Sequence, residues 1–131
     1  MSDDIQANIL VVDDDPALQQ LITTLLNRAG ITPISAMNVT EARAVLEGDL
    51  PDLVLLDLML PEMSGIDYLQ ELRGQDRFAE LPVIILSALA DPDQIREGLD
   101  AGADRYLTKP YLANNLLRTV KDVLKTGRIT E

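Results

Sequence analysis

One apolar run constrains the fold of this chain more than any other feature of its sequence. Residues 53–56 are continuously hydrophobic within DLVLLDLMLPEMSG, residues 52–65. A half-exposed strand alternates polar and apolar side chains, whereas an unbroken run is typical of a strand covered on both faces inside a parallel sheet. The run ends at Asp57, and Pro61 and Gly65 mark the loop that follows. Because ligands bind at this carboxyl edge in open α/β sheets, Asp57 is a candidate functional residue.

The rest of the chain repeats the unit of a short apolar strand followed by an amphipathic helix. Strands are predicted at residues 8–12, 31–36, 53–57, 83–88 and 103–107. Pro33 favours an edge position for the second strand, since proline has no backbone N–H to donate to a neighbouring strand. Parallel strands need helical crossovers, so the pattern predicts a doubly wound α/β fold, a five-stranded parallel sheet with five helices on its two faces.

Capping residues predict where the helices begin. Asp15 and Asp91 each precede a proline, and Asn38 and Ser64 each stand three residues before an acidic residue. In the third helix the apolar spacing predicts that Ile66, Leu69 and Leu72 are buried. Residues 75–81 are predicted to form a polar loop.

The length of 131 residues predicts a single domain, with a core over residues 8–125 and flexible tails at 1–7 and 127–131. The chain is 47% hydrophobic but has only three Tyr and one Phe as aromatic residues. The core is therefore expected to be aliphatic.

Charge and composition exclude several classes of function. The chain has 22 acidic and 11 basic residues, a net charge of −11, which disfavours direct binding to nucleic acid or to an anionic membrane. It has no Cys and no His, which excludes disulfides, thiolate metal sites and imidazole catalysis on this chain. The N-terminus lacks the features of a signal peptide and no apolar run approaches the ~18 residues of a membrane span, so a cytoplasmic location is expected.

Polar side chains stand at the carboxyl ends of four predicted strands. They are Asp13 and Asp14, Asp57, Ser87 and Lys109. Converging carboxylates form an oxygen site of the kind that Mg²⁺ prefers. Lys109 and Ser87 offer a positive charge and a hydroxyl suited to phosphoryl oxygens. An aspartate that faces a metal and a phosphate donor can act as a nucleophile and form an acyl phosphate.

From about Ile9 to Leu124 the chain resembles the receiver domain of two-component response regulators. The matching segments are VVDDDP, LVLLDLMLPEMSG, ILSA and ADRYLTKP, in this order and at the expected separations. The resemblance implies a flavodoxin-like sheet with strand order 2-1-3-4-5. It also implies a signalling domain that catalyses its own phosphorylation and dephosphorylation rather than a turnover enzyme.

By this resemblance Asp57 is the phosphoacceptor, and a sensor histidine kinase or a histidine phosphotransfer protein is the donor. Asp13 and Asp14 would hold Mg²⁺ together with Asp57 and the backbone carbonyl of Met59. Phosphorylation would create a signal for a downstream protein or an output domain.

The resemblance also implies a set of switch residues. Ser87 takes the place of the switch hydroxyl, Tyr106 that of the switch aromatic, and Lys109 that of the phosphate-binding lysine. The peptide bond between Lys109 and Pro110 is expected to be cis. The face formed by the fourth helix, the fifth strand and the fifth helix would change its packing on phosphorylation.

Other functions remain open at this point. An aspartyl-phosphate phosphatase would place a second Asp two residues after the first, where this chain has Met59. A flavin-binding module would need a phosphate loop after the first strand, and the acidic DDDP segment would repel the flavin phosphate. A receiver-like module that binds proteins without phosphorylation is the third alternative.

The apolar Met59 and Leu89 cannot orient a hydrolytic water, which predicts a long-lived phosphoryl group.

Some receiver domains dimerise through the face formed by the fourth helix, the fifth strand and the fifth helix. This chain departs from their pattern at two places. The fifth strand has Asp104 and Arg105 before its tyrosine, where two acids are usual, and Thr119 stands where an arginine is expected. These departures predict a monomer or a weak dimer.

Overall fold

The computed structural model describes residues 7–88, 91–108 and 113–127. Strands and α-helices alternate along these residues, and a short 3₁₀ helix, Asp76–Phe78, precedes the fourth strand. The elements are β1 (Asn8–Val12), α1 (Pro16–Arg28), β2 (Thr32–Ala36), α2 (Val39–Glu47), β3 (Leu53–Asp57), α3 (Gly65–Arg73), β4 (Val83–Ser87), α4 (Pro92–Asp100), β5 (Arg105–Thr108) and α5 (Ala113–Thr126).

The five strands form one parallel sheet in the order β2-β1-β3-β4-β5. This order confirms the predicted doubly wound topology. β2, which contains Pro33, lies at an edge of the sheet as predicted. The register pairs Val12 with Leu56 and Asp57 with Leu86, so the carboxyl ends of β1, β3 and β4 are aligned.

The apolar strands pack on both faces of the sheet. Leu10 and Val12 of β1 contribute to the core under α2 and α3, whereas Ile9 and Val11 contribute to the core under α1 and α5. Residues 53–56 of β3 are fully buried. Cover on both faces is the physical reason for their continuous hydrophobicity.

Side-chain caps begin the first four helices where the sequence predicts them. Asp15 accepts the N–H of Ala17 at 3.0 Å, and Ser64 accepts that of Asp67 at 3.1 Å. Asn38 accepts the N–H of Glu41 at 2.8 Å, while the Glu41 carboxylate accepts the N–H of Met37 at 2.7 Å. In a standard capping box that second bond goes to the cap residue itself.

β2 begins one residue later than predicted and β4 ends one residue earlier, and other local predictions also differ from the structure. In α3 the fully buried side chains include Tyr68, whereas Ile66 is only partly buried. The segment 75–81 contains the 3₁₀ helix and buries Phe78. β5 begins at Arg105 rather than at 103. The N–H of Val83, at the start of β4, donates to the side-chain carboxylate of Asp104 at 2.9 Å, so a side chain and not the backbone of residue 103 receives this N–H.

None of the helices in the described parts of the chain combines the length and the apolar character that a membrane span requires.

Candidate functional site

Three carboxylates meet at the carboxyl edge of the sheet. Asp13 and Asp14 follow β1, Asp57 ends β3, and one carboxylate oxygen from each lies within 4.8 Å of the others. Asp13 and Asp57 are buried, at 1% and 6% exposure, while Asp14 is exposed. Two of the three carboxylates in the cluster are therefore buried, and the third faces solvent.

The backbone orients two of these carboxylates in the same way. Oδ1 of Asp13 accepts the N–H of Asp15 at 2.9 Å, and Oδ1 of Asp57 accepts the N–H of Met59 at 3.1 Å. Both are local turns in which an aspartate bonds the backbone two residues later. Each turn fixes its carboxylate at the point where the chain leaves the sheet.

The loop after β3 folds back onto the strand end. Gly65 donates its N–H to the carbonyl of Leu58 at 2.8 Å. A Cβ atom on Gly65 would lie 2.5 Å from the Asp57 carbonyl oxygen and 2.7 Å from the Leu58 Cα. Only glycine allows this approach, a requirement that the sequence reveals only as a loop marker.

The predicted switch residues lie on the two neighbouring strands. Ser87 is fully buried at the end of β4, one residue beyond Leu86, which pairs with Asp57 on β3. Tyr106, on β5, is partly buried and packs against the core beneath α4. A Cβ atom on Gly98 of α4 would lie 3.1 Å from two carbons of the Tyr106 ring, so this glycine permits the close packing of ring and helix. Lys109, Pro110 and Leu89 lie outside the described residues.

The ligand atoms of the cluster suit a hard cation. All three are carboxylate oxygens, which Mg²⁺ and Ca²⁺ prefer over softer ligands. Carboxylates this close repel one another, and a divalent cation offsets that repulsion. The three aspartates could therefore hold a metal ion, as the sequence predicts.

The sequence did not predict a role for Gln19, whose side chain hydrogen-bonds the backbone at this edge of the sheet. Gln19 is only 5% exposed, and its amide nitrogen donates to the carbonyls of Val11, Asp13 and Ala36 at 2.9, 3.1 and 3.0 Å. The available signal was its position on the apolar face of α1, in helical spacing with the buried Ile22. A polar residue at such a position needs buried partners.

The chain belongs to the family described as the response regulator receiver domain, which it matches over residues 9–121. This membership confirms the resemblance and favours the receiver over the phosphatase and flavin alternatives. The roles of the individual residues stay predictions.

Curated relatives include larger regulators. The chain is 40% identical to the DNA-binding dual master transcriptional regulator RpaA of Synechocystis over 94% of this chain and 52% of that protein. It is 38% identical to the phosphate regulon transcriptional regulatory protein PhoB of Pseudomonas aeruginosa over 89% of this chain and 51% of that protein. The chain thus spans about half the length of these relatives. The DNA binding in the name of RpaA belongs to that whole protein, and the absence of nucleic-acid binding by these 131 residues stays a prediction.

Solved structures with the same fold cover the chain almost completely. The receiver domain of the Francisella response regulator 1452 is 37% identical, with a TM-score of 0.86 over 92% of this chain and 98% of that one. The BeF3-activated receiver domain of Klebsiella pneumoniae RstA is 30% identical, with a TM-score of 0.83 over 90% of this chain and 98% of that one.

Proposed function

We propose that Asp57 accepts a phosphoryl group from the phosphohistidine of a sensor histidine kinase or of a histidine phosphotransfer protein, with Mg²⁺ at the aspartate cluster. The observation that supports this most is the convergence of Asp13, Asp14 and Asp57 within 4.8 Å at the end of a buried strand. Burying carboxylates is costly unless hydrogen bonds or a cation beside them offset the loss of water.

In the transfer, a carboxylate oxygen of Asp57 forms a bond to phosphorus as the bond between phosphorus and the imidazole nitrogen of the donor breaks. The bond from the Met59 N–H holds the Asp57 carboxylate in place for in-line attack. Asp13, Asp14, Asp57 and the backbone carbonyl of Met59 would hold Mg²⁺, which would supply positive charge to the phosphoryl oxygens. We assign to Lys109 the second positive charge that stabilises the phosphoryl oxygens.

The signal is a change of packing on the face formed by α4, β5 and α5. Ser87 bonds the phosphoryl oxygens, and Tyr106 moves into the space that the end of β4 vacates. Ser87 is buried at the end of β4, and Tyr106 lies on the neighbouring strand β5, where Gly98 allows its ring to pack closely on α4; these positions support the assignment. The signal passes to a downstream protein or an output domain in the cytoplasm.

The test is phosphorylation by acetyl phosphate in the presence of Mg²⁺, followed by intact mass spectrometry. The wild type is expected to gain the mass of one phosphoryl group, and Asp57→Asn is expected to gain none. Asp49→Asn, a matched change at an exposed aspartate in the loop before β3, should be phosphorylated like the wild type. Equal mass gain by the Asp57 variant, or none by the wild type, would contradict the proposal.

A further inference from the structure

We propose that Gln19 is a positioning residue of the metal site, because its amide holds the peptide unit that joins Asp13 to Asp14. This inference rests on the proposed binding of Mg²⁺ at the aspartate cluster. Gln19 itself lies behind the acidic loop and does not belong to the cluster of potential ligands.

The hydrogen bonds of Gln19 converge on both sides of Asp13. Its amide nitrogen donates to the Asp13 carbonyl, which is part of the peptide unit between the two aspartates, at 3.1 Å. The same nitrogen donates to the carbonyls of Val11 at 2.9 Å and Ala36 at 3.0 Å, so one of its two N–H groups is shared between two carbonyls. The Ala36 carbonyl also accepts the N–H of Asp13 at 3.1 Å. One side chain therefore connects the end of β1, the end of β2 and the acidic loop.

Strand pairing cannot supply this support. The register of β1 with β2 ends at the pair Val12 and Ala36. The register of β1 with β3 likewise ends at the pair Val12 and Leu56, so Asp13 lies beyond the paired residues of both neighbouring strands, and its buried carbonyl requires a partner. Gln19, one turn into α1, provides the donor.

The surroundings of Gln19 indicate that its side-chain amide serves as a hydrogen-bond donor. Its Oε1 is buried and has no hydrogen-bond partner among the described residues, so this oxygen adds a cost instead of a contact. Ile22 and Leu26, on the same face of α1, are buried apolar side chains that fill this layer without polar atoms. A polar residue here is thus explained by the three carbonyls that it holds.

The test compares Mg²⁺ binding by isothermal titration calorimetry in the wild type, Gln19→Met and Gln20→Met. Methionine matches the length of glutamine but has no N–H donor. Gln19→Met is expected to bind Mg²⁺ about tenfold more weakly, the lower end of the effect of losing a residue that orients a metal ligand. Gln20 is exposed on the same helix, and Gln20→Met should bind as tightly as the wild type.

A second readout separates positioning from stability. In metal-free protein, the backbone amide NMR signals of Asp13, Asp14 and Asp15 should shift in Gln19→Met. A purely structural role would lower the urea midpoint and leave the Mg²⁺ affinity of the folded protein unchanged. Gln19→Asn, which is too short to reach all three carbonyls, is measured in parallel and should also bind Mg²⁺ more weakly.

The outcomes distinguish this inference from the proposed function. If the wild type binds no Mg²⁺, the proposed metal site is wrong. If the wild type binds Mg²⁺ and a folded Gln19 variant binds equally well, the role of Gln19 is wrong. Loss of folding in both variants would likewise overturn it, since the amide would then serve stability alone.

Discussion

At the scale of single residues, Asp57 depends on a glycine eight positions further along the chain. The Gly65 Cα lies so close to the end of β3 that any Cβ would contact backbone atoms rather than a movable side chain. Gly65→Ala must therefore shift either the Asp57 carbonyl or the start of α3. We expect it to lower the free energy of unfolding by about 1–3 kcal/mol, as overpacking does, and to slow phosphorylation by acetyl phosphate.

Urea denaturation and the rate of mass gain measure these two effects. Gly74→Ala is the matched control, because the nearest atom to a Cβ there is 3.5 Å away, an ordinary contact. The control should be no less stable than the wild type. Normal stability and normal phosphorylation of Gly65→Ala would show that the loop adapts without cost.

Met59 is predicted to lengthen the lifetime of the phosphoryl group on Asp57. Its side chain is 65% exposed two residues after Asp57 and cannot hydrogen-bond a hydrolytic water. Met59→Asn places an amide there, and we expect phosphate loss from Asp57 to become faster by about tenfold or more. Leu50→Asn, at an exposed leucine before β3, should decay like the wild type. A wild-type lifetime of seconds that no substitution at Met59 changes would contradict the prediction.

Tyr68 carries a buried hydroxyl that contributes no hydrogen bond within the described residues. Burial, with the nearby Glu71 carboxylate as the second cause, raises the pKa of this phenol from 10.0 to about 12. Tyr68→Phe removes the unsatisfied group. The free energy of unfolding at neutral pH is therefore expected to stay the same or to rise by about 1 kcal/mol, as measured by urea denaturation.

The same substitution gives a prediction for alkaline pH. A raised pKa means that the folded state keeps its proton when the unfolded state has lost it, so stability is fully present below pH 10 and falls as the pH rises towards about 12. Wild type should lose stability relative to Tyr68→Phe across this interval. A constant difference between the two proteins from pH 8 to pH 12 would argue against a raised Tyr68 pKa.

At the scale of elements, Arg73 at the end of α3 hydrogen-bonds the segments that lead into β4 and β5. Its guanidinium donates to the carbonyls of Phe78, Leu81 and Gly102 at 2.7–3.1 Å. It also forms an ion pair with Asp104 at 3.3 Å, and both side chains are mostly buried. The fork of the guanidinium is needed, because a single ammonium cannot reach these separate acceptors.

Arg73→Met is expected to lower the free energy of unfolding by about 3–5 kcal/mol, since it leaves the Asp104 carboxylate buried without its cation. Arg73→Lys should recover only part of this loss. Urea denaturation measures both, and Arg96→Met, at an exposed arginine on α4, should have little effect. A loss of stability equal to that of the Arg96 control would show that these bonds contribute nothing net.

At the scale of the whole molecule, the net charge of −11 opposes self-association. The Asp104 carboxylate, just before β5, accepts hydrogen bonds from Arg73 and from the Val83 N–H. It is thus engaged within the chain, and Thr119 brings no charge to α5. We expect the unphosphorylated protein to be monomeric at micromolar concentration by light scattering. A stable dimer under those conditions would refute this expectation.

Much of the architecture was predictable because its causes are local. Continuous apolar runs such as 53–56 require cover on both faces, and the capping residues Asp15 and Ser64 act on N–H groups two or three residues away. The start of β5 was misjudged because it depends on bonds between Asp104 and the distant Val83. Likewise, the core under α2 and α3 buries Tyr68 fully and Ile66 only partly, which depends on packing between elements.

The sequence by itself determined the class of fold and the chemistry available at the sheet edge, because strand periodicity and polar strand ends are properties of short segments. Only the tertiary structure decided that three aspartates from two strands come within 4.8 Å. It also decided that Gly65 must lack a side chain and that Gln19 supports the acidic loop. These features depend on atoms that are distant along the chain and meet only when the sheet and its helices pack.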